Sequence, residues 1–445
     1  MEVLTDFPED FLKALQTSVE MLKLLNVRYL EDDQPFLKKY WRFSYVGLTV
    51  LIHVAGLAFH LPELLTGEEM TEFAHLIPSV LVTIHAFLKS VVLIPKTAEV
   101  SAFLKALGSV WRVKFTPNQT QEKDTLLWRI NFINRACFWV SVCGSVQYLL
   151  SPLVETLFRR FILKQDCKLL LPIASSYPFN PTKNWTIYVF VYIFQLYSRF
   201  EDILHKKLTK FASENMFRQF TYIPKLQRHC DIYKSTLVTL IIAIYLGATL
   251  IMTTSCALLG IEFMMLRHDL AQVKPKQNKG RNSNKESDNE DGPSIETFVK
   301  RHQKLLRLSR QLDNVFNGMV FIDLLFVGIT TCSFSFMGQF ARGPGYMLVS
   351  YIGIATSMMT VLCLCYYGEL LTRASASIGD TAYNSLWYEG GKHYKMAILF
   401  IIRISQKPCR LTSSRYAVVS LNMFTKVMST TWSYFSLMNK VYSEE

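Results

Sequence analysis

The chain has 445 residues, half of them hydrophobic, and carries 48 lysines and arginines against 35 aspartates and glutamates, a formal net charge of +13. Its mean hydropathy is still positive, at +0.19, so the apolar residues must stand in blocks with the charges between them, as in a multi-span membrane protein. The basic residues lie in loops beside these blocks, where the positive-inside rule accounts for them, and this argues against nucleic-acid binding.

The N-terminal segment, residues 1–42, contains no apolar stretch of the kind that a cleavable signal peptide requires. Four of its apolar residues recur at helical spacing, namely Phe11, Leu15, Val19 and Leu22. This spacing predicts an amphipathic helix on the cytoplasmic side. Two interpretations fit equally well: the helix lies on the inner membrane surface, or it packs as an ordinary surface helix.

Six apolar runs meet or nearly meet the length of a membrane span, since crossing about 30 Å of hydrocarbon takes roughly 20 mostly apolar residues. The runs are residues 43–62, 73–95, 136–156, 235–261, 316–341 and 343–368. Lys89 and Asp323 stand inside two of them. We expect the lysine to snorkel towards the cytoplasm and the aspartate to pair with a base in a loop. For Asp323 a structural role is favoured over a place in an ion pathway.

The loops between these runs set the orientation. Residues 63–72 contain four glutamates and no lysine or arginine, whereas residues 96–135 contain seven lysines and arginines. Because cytoplasmic loops carry the basic residues, the first loop is predicted outside and the N-terminus inside. The sequon at Asn184 then falls in the large outer loop, as a candidate for glycosylation, and the sequon at Asn118 falls inside.

The basic inner loop contains a polar insert. Residues 274–292 include no apolar residue and cannot bury enough surface to order themselves, so we predict a disordered insert. The apolar stripe that follows, from Ile295 to Leu312, has helical spacing and runs into the span at residue 316. This predicts a helix that extends well into the cytoplasm.

The final helical segment is long enough to span a membrane, yet polar residues recur in it at spacings of 4, 3, 4, 3 and 4, which places them on one helical face. This polar stripe consists of Asn422, Lys426, Ser429, Ser433, Ser436 and Lys440. The opposite side is predicted to carry Met423, Val427, Thr431 and Tyr434, with Trp432 and Phe435 flanking it.

The two lysines of the polar stripe need water or partners. A charged side chain near mid-membrane costs at least ~2.5 kcal/mol on insertion scales. A helix that lines an aqueous pore supplies the water. The alternatives are a helix on the membrane surface or one packed in a polar bundle, and counting spans does not separate them.

Four motifs in the C-terminal third carry a family resemblance. They are Tyr366-Tyr367-Gly368-Glu369, the run TAYNSLWY at residues 381–388, Gln406-Lys407-Pro408 and Ser433-Tyr434-Phe435. This region resembles the C-terminal signature of insect odorant receptors of the moth and butterfly type, and the LP, YPF and tyrosine pattern from Leu171 to Tyr192 is similar as well. The resemblance implies an all-α membrane protein with seven transmembrane helices, a cytoplasmic N-terminus and an extracellular C-terminus.

The same resemblance implies a tetrameric, ligand-gated, non-selective cation channel in the plasma membrane of olfactory neuron dendrites, in which a tuning subunit assembles with a shared co-receptor. Residues 43–368 would form a six-helix ligand-binding bundle, residues 369–411 cytoplasmic anchor helices, and residues 412–441 the pore helix. The implied pore and gate residues are Lys426, Ser433, Leu437, Lys440 and Val441. Leu437 and Val441 would close the pore by dewetting, with Lys440 at its outer mouth.

By the same resemblance, the ligand would be a small volatile odorant, bound in the outer half of the membrane by dispersion, shape and a few hydroxyls. Candidates of suitable depth are Phe73, Ile77, Ser145, Tyr148, Thr239, Phe336, Tyr346, Ser350 and Tyr351. Taken singly, each also fits a packing role. The C-terminal residues and the inner loop differ from the pattern of the co-receptor, which predicts the ligand-specific subunit.

One segment departs from the family pattern. Residues 198–234 are a polar stretch in the outer loop, where relatives pass directly from Tyr197 to Ser235. The stretch is either a genuine extended loop or intron sequence retained in a gene model.

Other protein classes fit the sequence less well. A gustatory receptor channel has the same fold, but its usual C-terminal TYxxxxxQF pattern is absent. The DRY and NPxxY motifs of G-protein-coupled receptors are absent too, and no internal duplication suggests a transporter. The nine cysteines form no CxxC pair, and His53, His60, His75 and His85 stand singly on apolar segments. The sequence therefore predicts no enzyme, no cofactor and no metal site.

Overall fold

Helices make up most of what the computed structural model of the chain describes. The described residues are 7–23, 70–112, 116–164, 185, 188–189, 225–273, 294–340 and 343–443. Their side chains are described as well, apart from those at 23, 70–76, 145, 148–149, 152, 225–243, 340, 438 and 441–443. The predicted span at 43–62, Asn184, residues 198–224 and the insert at 274–292 lie outside the described residues.

The helical architecture confirms the all-α prediction. In chain order the helices are α1 (Glu9–Lys23), α2 (Met70–Leu93), α3 (Thr97–Val110), α4 (Pro117–Leu157), α5 (Lys225–Gln272), α6 (Ile295–Phe340), α7 (Pro344–Tyr383), α8 (Lys392–Ser405) and α9 (Leu421–Ser443). A two-stranded antiparallel ribbon, β1 (Thr412–Ser413) and β2 (Ala417–Val418), precedes α9.

α5 is the central helix of the bundle. It packs against α1, α2, α4, α6 and α7, and nearly all of its side chains from Ile244 to Leu266 are buried. This stretch of sequence has no single apolar stripe, because a helix enclosed by neighbours is apolar all round. α6 and α7 pack on α5 and on each other, and α9 lies against these two helices.

Three described helices are long and apolar enough to cross a membrane. The qualifying stretches are Ile244–Gln272, Ile295–Gln339 and Pro344–Tyr383. A fourth crossing is possible by length and composition if Ile77–Leu93 and Thr97–Val110, which meet at 71°, form one bent span. α9 is not among these stretches, because its polar stripe lowers its hydropathy.

The helix ends differ from the predicted boundaries in three places. α5 begins at Lys225, so the last part of the predicted outer-loop insert is helical. α7 continues through residue 368 to Tyr383, so no helix boundary separates the bundle from the anchor region. α9 begins at Leu421 and not at residue 412, because Ser414 and Arg415 adopt φ values of 47° and 66° that turn the ribbon and interrupt the helix.

α6 begins at Ile295, twenty-one residues before the predicted span starts at Phe316. The side chains of Leu305, Leu308 and Leu312 on this extension are buried. The structure therefore confirms the helical extension that the apolar stripe predicted.

α1 packs into the bundle. Phe11, Leu15 and Leu22 are at most 2% exposed, and the Phe11 ring lies 5.6 Å from that of Trp111. Leu22 approaches Gly247 of α5 so closely that a Cβ there would lie 3.0 Å from the Leu22 Cγ. Of the two interpretations open for this helix, the packed one is correct, because its apolar face is covered by protein.

Candidate ligand and pore sites

The polar stripe of α9 is exposed along its full length. Its members Asn422, Lys426, Ser429, Ser433, Ser436 and Lys440 are all exposed, as their spacing predicted. Met423 and Val427 are half-buried and Thr431 is buried, so these residues form the face that packs on the bundle. Tyr434 and Trp432 are 64% and 69% exposed. Both aromatic residues therefore lie outside the face that packs on the bundle, because α9 contacts its neighbours through a narrow face only.

Contacts with α6 fix the packed face of α9. The Oγ1 atom of Thr431 would lie 3.4 Å from a Cβ at Gly328, and the Cys332 thiol donates to the Thr431 carbonyl at 3.6 Å. Farther along both helices, the Gln339 side-chain amide donates to Asn439 Oδ1 at 2.7 Å. α6 therefore holds the packed face of α9 at several points along its length.

The start of α9 is tied to α6 through the ribbon. The backbone N–H and the hydroxyl of Thr412 both donate to Asp313 Oδ1, at 2.7 and 2.8 Å. Val419 is buried against α7 at Gly368, where a Cβ would lie 2.9 Å from the Val419 Cγ1. The glycine in the Tyr366–Glu369 motif thus permits this close approach.

The hydroxyl groups of α9 find hydrogen-bond partners on their own helix, whereas its lysines carry a charge. The Ser433 hydroxyl donates to the Ser429 carbonyl at 3.0 Å, and the Thr430 hydroxyl donates to the Lys426 carbonyl at 2.9 Å. Such bonds satisfy a hydroxyl on its own helix. An ammonium group has three donors and carries a full charge, so Lys426 is a residue of this face that lipid tolerates poorly.

Leu437, one of the two implied gate residues, is 61% exposed and lies next to the polar stripe on the helix surface. The side chain of the other, Val441, lies outside the described residues. The gate assignment stays a prediction.

The structure separates the described ligand candidates. Phe336 and Tyr346 are each 7% exposed and Ser350 is 1% exposed, whereas Tyr351 is 69% exposed. Successive helical residues point in different directions, so the burial of Ser350 turns Tyr351 away from the bundle, and Tyr351 is not an internal contact residue. Ile77 is half-buried. The side chains of Phe73, Ser145, Tyr148 and Thr239 lie outside the described residues.

Ser350 takes part in the packing of α7 against α6. Its hydroxyl donates to the carbonyl of Phe334, and the Thr331 and Ser357 hydroxyls are hydrogen-bonded at 3.0 Å two turns deeper. Gly353 lies against the Phe334 ring. Among the described candidates, Phe336 and Tyr346 are the buried aromatic side chains, and both have contacts within the bundle.

A buried charge cluster joins α2, α5 and α6. Lys89 Nζ lies 2.6 Å from Asp323 Oδ1, and His85 Nε2 lies 2.9 Å from the same oxygen. The lysine also donates to Thr249 Oγ1 at 2.6 Å and to the Tyr245 carbonyl at 3.3 Å. Lys89 does not snorkel and Asp323 does not pair with a loop base, contrary to expectation. Two helices far apart in the chain bring their charges together instead.

Further ion pairs join the end of α3, α5 and the start of α6. The buried carboxylate of Glu262 accepts from the Arg301 guanidinium at 2.7 Å and from the Arg112 backbone N–H at 3.1 Å. The Arg112 guanidinium forms a bidentate pair with Asp269. These contacts link α3, α5 and α6. From the sequence, this region could be recognised only as basic.

The anchor region is fixed to the bundle by buried polar contacts. The Tyr394 hydroxyl donates to the Val273 carbonyl at 3.3 Å, and the Cys409 backbone N–H donates to Ser375 Oγ at 2.9 Å. Burial raises the pKa of the Cys409 thiol, which keeps it protonated and unreactive. Within the described part of the chain, no three His, Cys, Asp or Glu side chains are grouped as metal ligands.

Comparisons with known proteins agree with this architecture. The family model described as 7tm Odorant receptor matches residues 230–432. Odorant receptor 67c of Drosophila melanogaster is 30% identical over 159 residues, 35% of this chain and 39% of that protein. The odorant receptor coreceptor of Harpegnathos saltator is 24% identical over 146 residues, 33% of this chain and 30% of that protein. The chain thus spans less than half the length of these curated relatives.

A solved structure covers the whole fold. The olfactory receptor OR5 from Machilis hrabei, in complex with eugenol, superimposes with a TM-score of 0.66 on 97% of this chain and 100% of that chain, at 12% identity. At this level of identity the likeness shows the fold.

The architecture defines a helical membrane protein with the fold of an insect olfactory receptor. The chain is similar to insect odorant receptors over residues 230–432, the part of the sequence that contains the C-terminal motifs of the predicted resemblance. It is a multi-pass protein of the plasma membrane. Its relatives are named as receptors and not as enzymes, in agreement with the prediction that it is not an enzyme.

Proposed function

We propose that this chain is the ligand-specific subunit of an odorant-gated, non-selective cation channel that it forms with the olfactory co-receptor as a heterotetramer. The observation that carries the proposal is the exposed polar stripe on α9, the helix that contains the last family motif. In a single chain this stripe is exposed, and Lys426, in the second turn of the helix, and Lys440, in its last turn, would meet lipid or the membrane interface. A shared aqueous pore along this stripe removes the cost of placing these groups in lipid.

The proposed topology places the N-terminus in the cytoplasm and the C-terminus outside. The basic loop between α2 and α4 and the basic start of α6 support a cytoplasmic position for these segments. α9 then runs outward from the anchor region, and Lys440 lies at the outer mouth.

The proposed ligand is a small volatile odorant held in the outer half of the bundle. Phe336 and Tyr346 supply buried aromatic surface on α6 and α7, which suits binding by dispersion and shape. α6 carries both Phe336 and the contacts to α9, so occupancy of this region can reach the pore through one helix.

The positive charge of Lys440 limits how many copies of this chain can line a cation pore. A lysine beside a cation path repels the permeant ion, so a ring of four such lysines would oppose cation flow. The proposal therefore assigns most of the ring to co-receptor subunits, with Lys440 of this chain modulating conductance. Leu437 and Val441 would form the hydrophobic gate.

The test is expression in a non-insect cell with and without the co-receptor, under voltage clamp, with a panel of volatiles. We expect an odour-evoked cation current that requires both subunits and persists when G-protein signalling is blocked. The co-receptor alone and this chain alone are the controls. A response that depends on G proteins and needs no channel partner would contradict the proposal.

A further inference from the structure

The charge cluster of Lys89, Asp323 and His85 lies entirely inside the bundle. The side chains of Lys89 and Asp323 are 0% and 2% exposed, and that of His85 is 3% exposed. The Lys89 ammonium also lies 4.3 Å from the centre of the Tyr245 ring. Ionisable side chains within membrane-spanning helices are costly and mark functional sites by default.

Stability alone does not account for this cluster. A buried ion pair is often no more stabilising than apolar side chains of the same size. Here the pair is also incompletely satisfied, because Asp323 Oδ2 is buried and has no hydrogen-bond partner. An apolar pair would leave no such unfilled acceptor. A role in fixing the positions of α2, α5 and α6 relative to one another would account for the cluster.

Its position on α6 indicates that role. Asp323 joins α6 to Lys89 on α2, and Lys89 in turn bonds to Thr249 on α5. Gly328, which contacts Thr431 of α9, lies five residues farther along α6, about 7 Å at the helical rise. Phe336, in the region proposed for the ligand, lies about 20 Å from Asp323 on the same scale. The contacts of Gly328 and Cys332 with Thr431 thus lie between Asp323 and the ligand region, and the contact of Gln339 with Asn439 lies just beyond it.

We propose that the Lys89–Asp323 ion pair, oriented by His85, is the fixed point about which α6 turns when an odorant binds, so that movement at Phe336 is delivered to α9 at Thr431. The two residues are positioning residues for gating. The inference rests on the proposed function. Without the fixed point, α6 would shift as a whole and less of the movement would reach the pore helix.

The experiment compares variants in the channel formed with the co-receptor, with currents normalised to surface-labelled protein. Lys89→Met alone leaves a buried carboxylate without its counter-ion, so we expect little protein at the surface. Lys89→Met with Asp323→Asn removes both charges and should restore surface protein. Its odorant EC50 should rise, or its maximal current fall, by about fivefold or more, within the usual range of coupling factors.

A second variant keeps the test decisive if the double variant does not fold. Asp323→Glu keeps the charge but moves the carboxylate away from α6, so the same shift in EC50 or maximal current is expected with the ion pair intact. The matched control is Arg112→Met with Asp269→Asn, an ion pair between α5 and the residue two positions after α3, in which neither partner belongs to α6. It should leave the normalised EC50 and maximal current unchanged.

The results distinguish the two proposals. Absence of any odour-evoked current from the unmodified chain with its co-receptor would reject the proposed function itself. A responsive unmodified channel, with both Asp323 variants at normal surface level and with normal EC50 and maximal current, would overturn the fixed-point role. A shift of the same size in the Arg112–Asp269 control would overturn it as well, since the effect would not be particular to α6.

Discussion

Lys426 and Lys440 are the residues on α9 that an apolar environment tolerates least. The hydroxyls beside them bond to carbonyls of their own helix, and the same sequence with serine or threonine alone would fit lipid. The lysines turn a mildly polar helix into one that needs water on one side. The proposed pore function of the helix therefore depends on these two positions.

Replacing Lys440 with Gln removes the positive charge that the proposal places at the outer mouth. Single-channel recording with the co-receptor should show a higher cation conductance, because repulsion of the permeant ion is lost, while the odorant EC50 stays unchanged. Ser436→Ala, one turn away on the same stripe, is the uncharged control. An unchanged conductance with an altered EC50 would refute a pore position for Lys440.

The contacts of some individual side chains could not be predicted from the sequence. Lys89 and Asp323 could be identified as exceptional charges from the sequence, but their pairing could not, because the packing of α2 on α6 is set by the tertiary fold. The exposure of Tyr351 could not be predicted for a related reason. The position of a residue along a span predicts its depth in the membrane. The direction in which its side chain points depends on the register in which α7 packs.

At the scale of elements, amphipathic spacing was the reliable guide. It placed α1, the extension of α6 and the polar stripe of α9 correctly, because each buries or exposes one continuous face. The ribbon before α9 was missed, since its turn uses left-handed conformations at Ser414 and Arg415 and not the glycine that would mark such a turn. The end of α7 was missed because the helix continues from an apolar to a polar environment without a break.

α1 offers a test of packing at the element scale. Phe11 is 1% exposed and contacts Trp111, so Phe11→Ala should lower the free energy of unfolding by roughly 3–5 kcal/mol. Melting of the solubilised protein, followed by size-exclusion chromatography, would show a lower midpoint. Lys13→Ala lies on the exposed side of α1 and should change the free energy by less than about 0.5 kcal/mol. Equal effects would contradict the burial of α1.

At the scale of the whole molecule, α9 is attached to its own chain by one narrow face and leaves the rest uncovered. The proposed tetramer would explain this arrangement, because four such helices around one axis would share water on their polar sides. The bundle of α2 and α4 to α7 would then stand outside the pore, and α6 and α7 both contact α9. In the proposal, the polar stripe, the gate and the co-receptor belong to one channel.

The accessibility of Ser433 from the pore tests this account most directly. Ser433→Cys and Thr431→Cys would each be expressed with the co-receptor and exposed to a membrane-impermeant cationic thiol reagent from outside, together with odorant to open the gate. The unmodified channel gives the background from native cysteines. The account predicts that the reagent blocks the current of Ser433→Cys and leaves Thr431→Cys, which is buried against α6, at the background level. Block of Thr431→Cys with no effect on Ser433→Cys would contradict it.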